Sequence, residues 1–196
     1  TAFAAMLFAT VQADAQMSKK YYVNGGWQFN GTLANDFAES AQGYGAYIEG
    51  GYYVTPMLAV GGFASFNTNN EYVPTRTYTF SDQSALTTDL DRSIYQVPFG
   101  ATLRYRFLRT MFQPYVEAKV GAQFSEQNTY MSTFVNQHDN WGFYISPEVG
   151  INIYPWAYQP GIHVAAYYSY ATNKGSVLTY GTDGMSNFGL RVGIAF

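Results

Sequence analysis

Taken two residues at a time, most of this chain falls into segments with one greasy face and one mixed face, and the charge sits on the mixed face. The last eleven residues, 186–196, show the pattern most cleanly. Phe188, Leu190, Val192, Ile194 and Phe196 share one side of a strand, while Asn187, Gly189, Arg191, Gly193 and Ala195 share the other. Seven earlier segments repeat it, at 22–31, 42–54, 58–67, 93–107, 113–125, 141–154 and 161–171. In 93–107, Tyr95, Val97, Phe99, Ala101, Leu103, Tyr105 and Phe107 oppose Gln96, Gly100, Thr102, Arg104 and Arg106. Pro98 within that segment removes a ladder bond, so a bulge or local irregularity is expected there.

The charged face also carries most of the glycines, and the opposite face is almost free of charge. A soluble barrel is built the other way, with apolar residues inside and charge outside. A face of Gly, Glu, Arg and Tyr suits the inside of an eight-stranded barrel, which side chains only just fill. The uncharged face then meets lipid. About ten residues at roughly 3.3 Å each, tilted near 45°, rise roughly 23 Å, matching an apolar band about 25 Å tall.

The connections point the same way. Those at 55–57, 108–112 and 155–160 are short, those at 32–41, 68–92, 128–140 and 172–185 are longer, and the two kinds alternate without exception. Tight periplasmic turns and longer extracellular loops give this alternation, and an even strand number leaves both termini periplasmic. Composition agrees: aromatics reach 19% and charged residues only 12%, about half the share of an ordinary soluble domain. Rings gather at both strand ends. Tyr22, Tyr52, Tyr53, Phe107, Phe112, Tyr154, Trp156, Tyr158 and Phe196 lie near the short turns; Phe66, Trp141, Phe143, Tyr168, Tyr170 and Phe188 lie toward the long loops. They are expected to form two interfacial girdles.

Other classes are excluded or weakened. The net charge of −3 and the lack of any Lys/Arg cluster exclude a bulk nucleic-acid footprint. Without cysteine there is neither a disulfide framework nor a thiolate metal site. Residues 1–15 (TAFAAMLFATVQADA) have the apolar core and small-x-small ending, Ala13-Asp14-Ala15, of a secretory signal peptide truncated at its N-terminus. The barrel domain is therefore expected over 16–196. Beyond residue 15 no apolar run approaches the ~18 residues of a helical span, so a membrane role has to come through strands.

The mature chain resembles the OmpA/OmpX-like eight-stranded outer-membrane barrels of the porin family. The resemblance rests on the Tyr-rich hairpin GAYIEGGYYVTPMLAVGGFASF, the similar SPEVGINIYPWAYQPGIHVAAYYSY, and the ending GLRVGIAF. It implies an all-β, eight-stranded antiparallel up-and-down transmembrane β-barrel on the surface of a Gram-negative cell, in contact with the outer-membrane lipid bilayer. It also implies that the assembly machinery of that membrane reads the closing strand, with Phe188, Leu190, Val192, Ile194 and Phe196 as its signal.

Chemistry is sparse on this reading. The lumen is expected to hold a charge network of Glu49, Arg104, Arg106, Glu117, Lys119, Glu148 and Arg191, paired as a plug because buried charges persist only when matched. Arg191 is expected to meet Glu49 or Glu148. His163 and Ser169 share a face, but six residues of strand, about 20 Å, separate them, too far for a base to reach a hydroxyl. The close His-x-Ser pair of outer-membrane lipid A deacylases is missing, and His138-Asp139 falls in the third long loop. No catalytic, metal or cofactor site is expected. The longest loop, 68–92, contains TRTYTF, which either extends the strands or offers an edge to an extracellular protein. The expected role is structural or adhesive, with a small lipid-modifying enzyme or a narrow channel as the alternatives.

Overall fold

A computed structural model of the protein describes residues 20–33, 42–79, 85–131, 134–156, 159–177 and 180–196. Segment 1–15, expected to be a signal peptide, lies outside the described residues, as does Tyr158. Eight strands follow in order: β1 (Tyr21–Leu33), β2 (Gln42–Tyr53), β3 (Leu58–Thr79), β4 (Ala85–Arg106), β5 (Phe112–Met131), β6 (Phe134–Ile153), β7 (Gly161–Val177) and β8 (Tyr180–Ala195). Each pairs antiparallel with its neighbour, and β1 pairs with β8 to close the barrel. Closure satisfies the backbone groups that lipid cannot. The last bonds of the seam join Val23 and Phe196, with Phe196 N donating to Val23 O at 2.8 Å.

The three short turns lie where the alternation places them. Of the long connections, the one expected at 32–41 falls between Leu33 and Gln42, largely outside the described residues, and the other three differ. β3 runs on to Thr79 and β4 begins at Ala85; β5 reaches Met131 and β6 starts at Phe134; β7 ends at Val177 and β8 opens at Tyr180. Residues of 68–92, 128–140 and 172–185 are therefore largely strand. Beyond the lipid band both faces of a strand meet water, so the period-2 signal fades while Thr, Tyr and Val still favour pairing.

Pro98 brings the expected local irregularity, an interrupted ladder, without a bulge. It stays in register opposite Gln123 of β5, and toward β3 the ladder merely skips from Ala64↔Phe99 to Asn67↔Gln96. Pro147 marks a similar skip between β6 and β7. Register shifts instead at Val73/Arg76 and Ala171/Lys174, in the polar upper parts of the wall.

The predicted faces hold. Val192, Leu190, Ile194, Phe188 and Phe196 of the closing stretch are about half exposed and point outward, while Arg191 and Ala195 are buried. The ring assignments need one correction. Tyr22, Tyr53 and Tyr154 are buried inside the barrel rather than in an outer girdle. Their parity places them with Asn24, Glu49 and Glu148 on the lumen face. Tyr52, Phe107, Phe112 and Trp156 do face outward at the short-turn end, and Phe66, Trp141, Phe143, Tyr168, Tyr170 and Phe188 do so toward the other.

So small a barrel curves sharply, and at some points its inner surface has no space for a side chain. A Cβ on Gly121 would lie 2.7 Å from the Gly100 Cα, and one on Gly100 would lie 2.6 Å from the Gly121 Cα. These two glycines face each other across β4 and β5. Gly25, by contrast, has ordinary room for a methyl group, 3.5 Å from the Tyr47 carbonyl. Gly121→Leu should abolish the fast-migrating folded species on an unboiled denaturing gel, whereas Gly25→Ala should keep it. Equal mobility shifts in both variants would contradict this account of the wall.

Candidate functional site

Inward side chains fill the lumen in three levels. At the short-turn end, Tyr22, Tyr53 and Ala59 pack together, and Tyr154 packs on Ala195. Arg106 belongs here. Its guanidinium lies 3.6 Å from the centre of the Tyr53 ring, Nε donates to the Pro56 carbonyl at 2.8 Å, and Nη1 donates to Gln113 Oε1 at 3.4 Å.

The middle level is an ion network built by register. The β4–β5 ladder sets Arg104 opposite Glu117, and the β5–β6 ladder sets Glu117 opposite Glu148. Two carboxylates facing each other across strands repel, and cations from elsewhere in the wall relieve them. Lys119 Nζ lies 2.7 Å from Glu148 Oε2 and 3.4 Å from Glu117 Oε1, and also contacts Glu49. Arg104 bridges Glu49 and Glu117. Arg191 pairs with Glu148, while its Nε donates to Gln28 Oε1 at 2.9 Å. Glu49, Arg104, Glu117, Lys119, Glu148 and Arg191 are each at most 4% exposed, and three negative groups meet three positive ones. The expected contact of Arg191 with a glutamate is thus with Glu148. Arg106 alone of the seven anticipated residues stands apart, one turn of alternation below Arg104.

Aromatic rings insulate the network. The Arg104 guanidinium lies between the rings of Tyr22 and Tyr115, 3.8 Å from each centroid, and Arg191 lies 4.4 Å from that of Tyr167. Such contacts contribute roughly 0.5–2 kcal/mol each when desolvated. Tyr115 OH donates to Glu148 Oε1 at 2.7 Å, and Asn24 Nδ2 donates to Glu49 Oε1 at 2.9 Å.

His163 is the residue that the sequence undervalues. It is fully buried in the network, with Nδ1 bonded to the Tyr47 hydroxyl and Nε2 to the Tyr115 hydroxyl. Because Tyr115 gives its proton to Glu148, Nε2–H donates to the Tyr115 oxygen and Nδ1 accepts from Tyr47. A neutral imidazole completes this chain. One donor atom each from Glu49, Glu148 and His163 lie within 4.8 Å of one another, a spacing that suits a cation. Lys119 already bridges the two carboxylates, and both imidazole nitrogens are engaged. Ser169 is buried further along β7, away from this chain of bonds. The His138 side chain lies outside the described residues, and Asp139 beside it is exposed.

The third level, toward the long hairpins, is an apolar plate of Phe63, Ile94, Tyr144, Ala171 and Met185 beneath a layer of amides. Asn187 Nδ2 donates to Gln96 Oε1 at 2.9 Å. Asn173 Nδ2 reaches the Gln123 carbonyl, Ser125 Oγ and the Asn140 carbonyl at 2.8–3.2 Å, tying β7 to β5 and β6 where the β6–β7 ladder has ended.

A closed wall of eight strands, apolar outside and plugged by charge inside, defines a small outer-membrane β-barrel. The chain belongs to the family described as outer membrane protein beta-barrel domain, whose model matches residues 1–196. Among solved structures it is similar to Neisserial surface protein A, NspA, with 16% identity and a TM-score of 0.56 over 90% of this chain and 96% of that one. Ail, the attachment invasion locus protein of Yersinia pestis, in complex with the heparin analogue sucrose octasulfate, matches with 16% identity and a TM-score of 0.47 over 90% and 97%. The N-terminal barrel of Pseudomonas aeruginosa OprF matches with 14% identity and a TM-score of 0.39 over 91% and 98%. No curated protein matches the sequence. The protein is thus a bacterial outer-membrane barrel in contact with the lipid bilayer.

Removing one member of a buried ion network strands the others without partners and costs about 3–5 kcal/mol. Arg104→Ala should destabilise the barrel by about that amount in guanidinium unfolding from lipid vesicles. Arg106→Ala, which strands no carboxylate among the described residues, should cost about 1–2 kcal/mol. Equal costs would show that the network does not act as a unit.

Proposed function

We propose that this protein is a surface-interaction protein, a closed barrel that carries its long hairpins outside the cell and uses β3–β4 to bind an external protein. The carrying observation is the length of that hairpin. The last β2–β3 pair is Gln42↔Asn70 and the last β4–β5 pair is Asp91↔Tyr130, yet β3 and β4 stay paired to Thr79↔Ala85. Beyond those points both outer edges of the hairpin have no strand beside them among the described residues. Nine residues, 71–79, at about 3.3 Å each give a free edge of roughly 30 Å. Unpaired N–H and C=O groups along it are a template for an added strand.

This reading sets the termini and short turns in the periplasm and the hairpins outside, in keeping with the usual asymmetry of such barrels. It assigns no enzymatic step: both nitrogens of His163 are bonded to tyrosines, so this imidazole is not poised at a nucleophile among the described residues. It assigns no transport either, since the ion network and the apolar plate occupy successive levels of the lumen.

The test replaces residues 71–90 with a two-residue Asn-Gly turn and compares adherence of bacteria displaying each form to epithelial cells. The intact protein should raise adherence severalfold over an empty vector, and the shortened one should lose that gain while keeping its folded gel mobility. No gain from the intact protein would sink the adhesive reading.

A further inference from the structure

The upper part of the β3–β4 hairpin has two free edges, and they are not equivalent. Among the described residues, β3 has no strand on its β2 side from Glu71 to Thr79, and β4 has none on its β5 side from Ala85 to Leu90. The β3 edge is broken in its middle. Pro74 has no N–H to donate, and the register shift between Val73 and Arg76 sets Pro74 and Thr75 against the single residue Asp89. A bulge twists the strand and a proline removes a donor, two devices that keep other strands off an edge. The β4 edge has neither. Residues 85–90 (ALTTDL) contain no proline, and at about 3.3 Å each they offer roughly 20 Å of continuous backbone. Since β5 ends at Met131, one residue beyond its last pair with β4, a strand added here continues along the line that β5 leaves.

Charge separates the edges as well. In the ladders Arg92 stands opposite Glu71 and Lys174 opposite Asp183, so these two cations already have carboxylates in register. Asp91 stands between Tyr72 and Tyr130, and Asp89 faces the bulge, so no cation opposes either in register. Residues 85–91 include no Lys or Arg, and the connection at 80–84 adds Asp82. Within 71–79 the cation is Arg76, on the other strand. On the adjoining β5–β6 hairpin, Glu126 and Asp139 stand opposite each other. A field of this sign attracts and orients a cationic partner and repels an acidic one. It also disfavours a second copy of this chain, because pairing two β4 edges crowds their aspartates.

We propose that the docking edge of the surface hairpin is β4, residues 85–90, and that its guest is an extended lysine- or arginine-rich segment of an external protein, added as a strand beside Asp89 and Asp91. This rests on the adhesive reading for the hairpin as the docking element, and it adds which edge binds and what charge the partner carries.

The test uses the purified full barrel in zwitterionic detergent and two strand-forming peptides, one alternating threonine with lysine and the other threonine with glutamate. The lysine peptide should bind about tenfold more tightly or better. N-methylation along its backbone should abolish binding, because main-chain bonds hold an added strand. Thr77 and Thr87 are ladder partners, one on each strand, and the chain has no cysteine. A lysine peptide with a central cysteine should form a disulfide with Thr87→Cys and not with Thr77→Cys. The bond needs Cα atoms within about 7 Å, and a strand beside β4 lies two strand spacings from β3. Equal binding of the two peptides, binding that survives N-methylation, no disulfide at Thr87→Cys, or a disulfide at Thr77→Cys would each overturn the proposal. The two readings fail separately. Adherence that rises with the intact hairpin while the lysine peptide fails to bind overturns only the edge and its charge, whereas a bound lysine peptide without any gain in adherence overturns only the adhesive role.

Discussion

Three carboxylates and three cations share a space that water does not reach, and the rest of the barrel is arranged around keeping them matched. Glu49, Glu117 and Glu148 come from β2, β5 and β6, and Arg104, Lys119 and Arg191 from β4, β5 and β8. The network therefore joins strands that are not neighbours, which ladder bonds alone never do. An ion taken from water costs several kcal/mol, recovered only with good geometry and further hydrogen bonds. Tyr115, Asn24 and Gln28 supply those bonds, and Tyr22, Tyr115 and Tyr167 supply rings against the guanidinium groups. Closure also requires the paired glycines of the wall, because eight strands leave an interior just wide enough for side chains.

Much of this was legible in the sequence, because lipid imposes a strict rule: the outward face carries no charge. Alternation fixed the inward parity of Glu49, Glu117, Glu148, Arg104, Lys119 and Arg191, and inward charges in a narrow lumen have few places to go. The partner of Arg191 was narrowed to two residues and proved to be Glu148. Two things were hidden. Tyr22, Tyr53 and Tyr154 carry the parity of the lumen, but their chemistry and their place near strand ends suggested girdles. His163 looked isolated because its partners, Tyr47 and Tyr115, come from distant strands and meet it only across the barrel. Sequence spacing along one strand carries no record of such contacts. The upper strands were hidden for another reason: above the lipid, both faces are polar, so the alternation that reveals strands is absent where β3 and β4 continue furthest.

The same division separates architecture from role. The inward face specifies a filled interior whose middle level matches three carboxylates with three cations. The outward face specifies a membrane. The hairpins beyond the lipid have freedom to vary, since neither core packing nor lipid constrains them.

The most direct test of the central claim is the current through the purified protein in a planar lipid bilayer. A lumen closed by a matched ion network predicts a quiet baseline, without resolvable single-channel steps, at voltages that leave the bilayer intact. Regular, reproducible conductance steps from the folded wild-type barrel would contradict it, because ions would then be passing the level of Lys119 and Arg104.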